Sequence, residues 1–153
     1  MRSGLIALRH GHSLYNERGL CNDSDAGALG LSVKGFDQAR RARKALATEH
    51  FSAVYSSPLL RTRQTAEIVT ERMPVTFAVD ARLADIRSGF DGKPVVDYLA
   101  AIAHDPVDAR VNGGESLRDY ACRVTGFLEE LEEQSSGMTL LVVHEETLRV
   151  IDA

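Results

Sequence analysis

Three places in the chain set imidazole or guanidinium groups at the ends of short apolar runs. The first is Arg9-His10-Gly11-His12-Ser13, directly after residues 5–8. A strand that ends in Arg and His commits buried positions to polar groups, which is unfavourable without partners. Taken alone, His10 fits a satisfied histidine at a sheet end, and Arg9 a surface cation. Gly11 argues for more, because a glycine lets backbone approach a ligand closely. The second place is Ser56-Ser57-Pro58-Leu59-Leu60-Arg61-Thr62-Arg63-Gln64-Thr65-Ala66, after the run 53–55. Arg61 falls near the first turn of a helix, where backbone N–H groups favour an anion. A guanidinium there can grip a phosphate through two parallel hydrogen bonds, as lysine cannot. Arg40, Arg41, Arg43 and Arg63 read instead as solvated helix charges. The third place is His144, closing the run 139–143. Two imidazoles and two guanidiniums along one sheet edge suit a phosphate.

Other chemistries have less support. His10 and His12 form a His-x-His pair that a metal could bridge. No Cys-x-x-Cys, His-Glu-x-x-His or carboxylate-rich calcium loop accompanies it. The barrel enzymes that use such a pair are far longer than 153 residues. No metal or other cofactor is therefore expected. Neither Gly-x-x-x-x-Gly-Lys nor Gly-x-Gly-x-x-Gly occurs, so nucleotide-binding folds are set aside.

The elements that must position these groups are legible. Residues 5–8, 53–55, 75–79 and 140–143 are apolar at successive positions, as in strands covered on both faces of a parallel sheet. Ser32 is expected to cap a helix through Phe36, Ala39, Ala42 and Leu46, and Ser116 another through Tyr120, Val124, Phe127 and Leu131. Ser57 and Pro58 read as the cap and first residue of a third, and residues 94–103 as a fourth. Glu129, Glu130, Glu132 and Glu133 form a solvated acidic face. Residues 14–30 and 85–114 read as irregular excursions, the second ending in the turn pair Gly113-Gly114. The expected architecture is a single three-layer α/β/α domain, residues 1–153, with a mostly parallel central sheet.

Composition narrows the function classes. The chain has 44% hydrophobic and 26% charged residues, which is ordinary for a globular protein. A net charge of −4 argues against nucleic acid as partner. The apolar runs are too short for a secretion signal or a membrane span. Cys21 and Cys122 make no disulfide framework, so a reducing, cytoplasmic setting is expected.

In order along residues 5–149, Arg9-His10-Gly11 with Ser13 and Asn16, Ser57-Pro58 with Arg61 and Thr65-Ala66, Gly113-Gly114-Glu115-Ser116, and Val143-His144 resemble the histidine phosphatase superfamily, in its phosphoglycerate-mutase-like branch. The resemblance implies that His10 is the nucleophile, forming a phosphohistidine. It implies that Arg9, Arg61 and His144 make the phosphate pocket, with Asn16 in support. The branch carries a Glu as proton donor where this chain has Asp85, one methylene shorter. Glu145 and Glu115 are the alternatives for that role. Relatives generally continue past the helix that begins at residue 145, so the chain is either unusually compact or cut short at its C-terminus. The implied activity is metal-independent hydrolysis of small phosphomonoesters. A phosphoglycerate mutase needs additional basic residues, and residues 85–114 offer only Arg87, Lys93 and Arg110. A phosphate-binding module without catalysis is the remaining alternative.

Overall fold

The computed structural model describes residues 4–25, 27 and 29–153. Strands β1 (Gly4–Arg9), β2 (Ala53–Ser56), β3 (Phe77–Val79) and β4 (Met138–Val143) form one sheet in the order β1-β4-β2-β3, every pair parallel. Side chains alternate across a strand, so the runs of β1, β2 and β4 each feed two cores, whereas β3, at the sheet edge, packs only Phe77 and leaves Val79 exposed, against the expected cover on both faces. Leu140 and Val142 pack with Val54, Ala66 and Val69 on one face, and Leu141 and Val143 with Leu83 and Phe127 on the other. Helices α2 (Val33–Ala45) and α3 (Leu60–Thr70) cover the first face; α5 (Leu117–Gln134) and α6 (Glu145–Ile151) cover the second. The expected three-layer architecture is the one found.

Sequence order and register together build the site. Strand β4 lies between β1 and β2, with Arg9 opposite Val143 and Ser56 opposite Val142. The residues that follow these three strands, His10, His144 and Ser57, therefore emerge side by side. The C-terminal edge of a parallel sheet is where ligands bind in open α/β folds.

Several boundaries depart from expectation. Ser57 and Pro58 do not start α3, which begins at Leu60 with Leu59 at its N-cap and no side-chain cap bond of its own. The Ser57 hydroxyl lies 2.7 Å from His144 Nε2 and accepts from the N–H of Leu59, not from a helical residue, and the first helical N–H, that of Leu60, donates to Asp25 Oδ1 at 2.8 Å. Strand β3 begins at Phe77, two residues late. Inside the excursion 14–30 lies a helix, α1 (Leu14–Arg18), closed by a capping box between Ser13 and Asn16 and by Gly19 at φ 65°. Five residues are too few to display a helical period. The remaining helix, α4 (Val95–Ile102), falls within the expected segment, and a turn forms at Asn112 and Gly113.

Gly11 has a different reason from the one its sequence context suggests. A Cβ there would lie 2.4 Å from the Gly35 carbonyl oxygen, and one on Gly35 would lie 2.0 Å from that of His12. The two glycines let the loop after β1 press against α2, backbone to backbone. An exposed helical Gly→Ala change ordinarily favours folding by about 1 kcal/mol. Here backbone must move, so Gly35→Ala is expected to destabilise by about 2 kcal/mol or more in urea denaturation.

Candidate active site

At the carboxyl end of the sheet His10, Arg61 and His144 converge, all three buried. His10 lies one residue past β1, its N–H extending the ladder to the Val143 carbonyl at 2.9 Å. Its ring nitrogens have unlike partners: Nδ1 is 2.6 Å from the Gly11 carbonyl oxygen, and Nε2 is 3.1 Å from Arg61 Nε. A carbonyl only accepts and a guanidinium only donates, so the proton sits on Nδ1 and the lone pair on Nε2. Burial, then the neighbouring His144 and Arg61, hold the His10 pKa down to about 3. At neutral pH the imidazole is uncharged, with its lone pair at Nε2.

Arg61 is the hub. Besides Nε, its Nη2 donates to Asp85 Oδ2 at 2.8 Å and lies 3.2 Å from His144 Nδ1, while Nη1 donates to the side-chain and backbone oxygens of Asn22. His144 is held on its far side, Nε2 lying 2.7 Å from Ser57 Oγ. The two histidine rings meet edge to face, 5.3 Å between centroids. Burial, with Arg61 close by, pushes His144 well below the ordinary histidine range. Thr65 links the parts: its hydroxyl accepts from the Gly11 N–H at 3.1 Å and donates to the Arg61 carbonyl at 2.8 Å.

Above this floor opens a cavity of about 180 Å³, whose lining includes Arg9, His10, Asn16, Arg61 and Asp85. Arg9 stands at the rim, half exposed, paired with Glu145 at 3.3 Å. Asn16 Oδ1 is taken by the Ser13 N–H at 3.0 Å, which leaves the amide nitrogen as what it can offer a ligand. His12 does not join His10: its Nδ1 is 2.8 Å from Ser32 Oγ. Among the described residues, no three His, Cys, Asp or Glu side chains cluster as metal ligands.

Residues 5–153 match the family described as histidine phosphatase superfamily (branch 1). The chain belongs to that superfamily. It is 33% identical to phosphoserine phosphatase 1 of Hydrogenobacter thermophilus, over 91% of this chain and 69% of that protein. It is 32% identical to a protein of Citrobacter koseri named as a probable phosphoglycerate mutase (GpmB), over 90% of this chain and 67% of the other. Among solved structures it superimposes on a mycobacterial glucosyl-3-phosphoglycerate phosphatase in complex with VO3, with a TM-score of 0.84 and 27% identity, over 97% of this chain and 79% of that one.

Within this histidine phosphatase fold the three candidate proton donors sit in unlike places. Asp85 lies in the cavity, a quarter exposed, with Oδ2 on Arg61 and 3.6 Å from His144 Nδ1. Its Oδ1 accepts from the Ile86 N–H at 2.9 Å. Glu145 is at the rim, tied to Arg9 and Arg149. Glu115 is outside the cavity lining and buried, accepting from Arg123 and from the Arg87 N–H at 3.0 Å. That geometry makes Glu115 a brace and leaves Asp85 as the carboxyl nearest the histidines.

Sequence reasoning passed over four residues here. Arg123 donates to the carbonyls of Arg82, Ala84 and Asp85 at 2.6, 2.8 and 3.0 Å, pinning the backbone that presents Asp85. Asn22 holds Arg61; Tyr98 and Glu146 line the cavity. Arg123 reads in the sequence as one more charge on a long helix, and no spacing rule marks the others.

Proposed function

We propose that the protein is a phosphatase of small phosphomonoesters that acts through a phosphohistidine at His10. The observation that carries this reading is the Nε2 lone pair of a neutral, buried imidazole, held from behind by the Gly11 carbonyl and set against a guanidinium. Asp85, once the phosphoryl group has taken its guanidinium, receives the proton of the incoming phosphate monoanion. Nε2 attacks phosphorus in line as the ester P–O bond breaks, and the departing alkoxide takes that proton from the Asp85 carboxyl. Water then attacks the phosphohistidine, giving its proton to Asp85. The P–N bond breaks, and inorganic phosphate leaves with His10 restored.

Arg61, Arg9 and the Asn16 amide stabilise the charge on the transferring oxygens. In the unliganded molecule Arg61 spends its donors on His10, Asn22, Asp85 and His144, so an arriving phosphoryl group has to displace the first and the last two. Asp85 is then freed of its guanidinium and faces the ester oxygen. His144 donates to phosphate only with its proton on Nδ1. The Ser57 hydroxyl, which both accepts and donates, accommodates either tautomer of the ring. Uncatalysed phosphomonoester hydrolysis is slow enough that enzymes reach enhancements of ~10²¹, and electrostatic stabilisation supplies a large share of such rates.

Turnover of p-nitrophenyl phosphate in the presence of a metal chelator is the expected result. Absence of turnover contradicts the reading, and interconversion of 2- and 3-phosphoglycerate at a comparable rate would replace it with a mutase.

A further inference from the structure

The in-line geometry fixes where a substrate's alcohol must lie. Attack by His10 Nε2 sends the leaving group away from that ring, toward the rest of the cavity lining, to which the start of α6 gives Glu145 and Glu146 and α4 gives Val95 and Tyr98. The lining has an unusual balance for a site that takes an anion: Arg9 and Arg61 against Asp23, Asp85, Glu145 and Glu146. Both arginines are already paired, Arg61 with Asp85 at 2.8 Å and Arg9 with Glu145 at 3.3 Å. Asp23 is held by neutral donors, the Ser88 hydroxyl at 2.7 Å and the Gly89 N–H at 3.0 Å. Glu146 is partly buried on the cavity side and meets Arg149 at 2.8 Å on its solvent side, where that arginine is 64% exposed.

An aromatic surface completes the mouth. Tyr98, on α4, lines the same cavity, and the Phe90 ring backs it with 6.1 Å between centroids. Burial first, then Glu146, Cys21, Asp23 and Asp85, push its phenol up, so the ring is neutral and lies among carboxylates. An aromatic ring beside carboxylates, with both arginines among the described lining residues already paired, is the environment that receives an ammonium group. A substrate carboxylate in the same place meets Asp23 and Glu146, while the two arginines of the lining are already held by Glu145 and Asp85. One unit charge at ~6 Å changes binding between about threefold and a hundredfold, depending on local polarity.

We propose that the mouth of the cavity selects phosphate esters whose alcohol carries a cationic amine, with Glu146 and Tyr98 as the specificity-determining residues. The proposal rests on the phosphatase reading above and adds the substrate class.

The test compares kcat/KM for phosphoethanolamine, glycerol phosphate and 3-phosphoglycerate, whose alcohols are cationic, neutral and anionic, with His10→Ala as the background. The expected order is the one just given, with about fivefold or more between successive substrates. In Glu146→Gln the ratio of the first to the third falls about tenfold, and in Tyr98→Leu the ratio of the first to the second falls. The proposal is overturned if 3-phosphoglycerate equals or exceeds phosphoethanolamine, or if Glu146→Gln leaves the ratio within twofold. It is also overturned if p-nitrophenyl phosphate is hydrolysed and none of the three esters is. Loss of turnover on every ester, p-nitrophenyl phosphate included, is instead the failure of the phosphatase reading, and takes this proposal with it.

Discussion

His10→Gln is expected to lower kcat/KM on p-nitrophenyl phosphate by about 10⁴-fold or more, since removing a nucleophile removes the route and not one contribution to it. The same variant carries a second signature, in stability. In the folded protein His10 stays neutral down to about pH 3, whereas the unfolded chain takes up a proton near 6.5. Between those values the unfolded state binds more protons, so stability falls as pH falls. At pH 5 the penalty from this one group is about 2 kcal/mol. Urea denaturation at pH 7.5 and pH 5 should therefore show the parent losing about 2 kcal/mol more than His10→Gln across that interval. Equal losses would mean that His10 is not held neutral, and a variant that keeps its activity would remove His10 from the chemistry.

The second large effect belongs to a residue that never touches substrate. Arg123 joins Glu115 to three carbonyls on the approach to Asp85, and Glu115 is almost wholly buried. Arg123→Met leaves that carboxylate with only the Arg87 N–H and the largely exposed Arg87 guanidinium at 3.7 Å, and frees the Asp85 backbone. Breaking a buried pair from one side costs about 3–5 kcal/mol. The double variant Arg123→Met with Glu115→Leu should cost less than the single one, because no buried charge is left behind. Kinetics separate positioning from mere stability. Below the unfolding transition, Arg123→Met should lose more kcat on an alkyl phosphate, whose alkoxide takes the Asp85 proton on the proposed route, than on p-nitrophenyl phosphate. Equal losses on both esters, or a stability change under about 1 kcal/mol, would leave Arg123 as a surface-type cation.

Periodic and terminal features were legible in the sequence. The apolar runs of the strands and the Ser32 and Ser116 caps follow local rules, and the structure keeps them. His10, Arg61 and His144 were legible because a polar residue closing a buried run stands out against hydrophobic patterning. What stayed hidden depends on contacts between distant segments. Ser57 looks like a helix cap until His144, 87 positions on, takes its hydroxyl. Gly11 looks like a ligand-facing glycine until Gly35 is seen against it. Glu115 and Asp85 are alike as carboxylates in loops, and only their distant partners, Arg123 for the one and Arg61 for the other, distinguish the brace from the group at the histidines. The cavity mouth was invisible for the same reason: Asp23, Tyr98 and Glu146 come from three separate segments.

The central claim is that a covalent phosphohistidine forms at His10, and rapid acid-free quenching of the protein mixed with phosphate ester tests it most directly. Peptide mass mapping under alkaline conditions should then find one phosphoryl group on His10, stable to base, labile to acid and absent from His10→Gln. A steady-state reaction that turns over with no phosphoryl group on His10, or with one on another residue, would contradict the account.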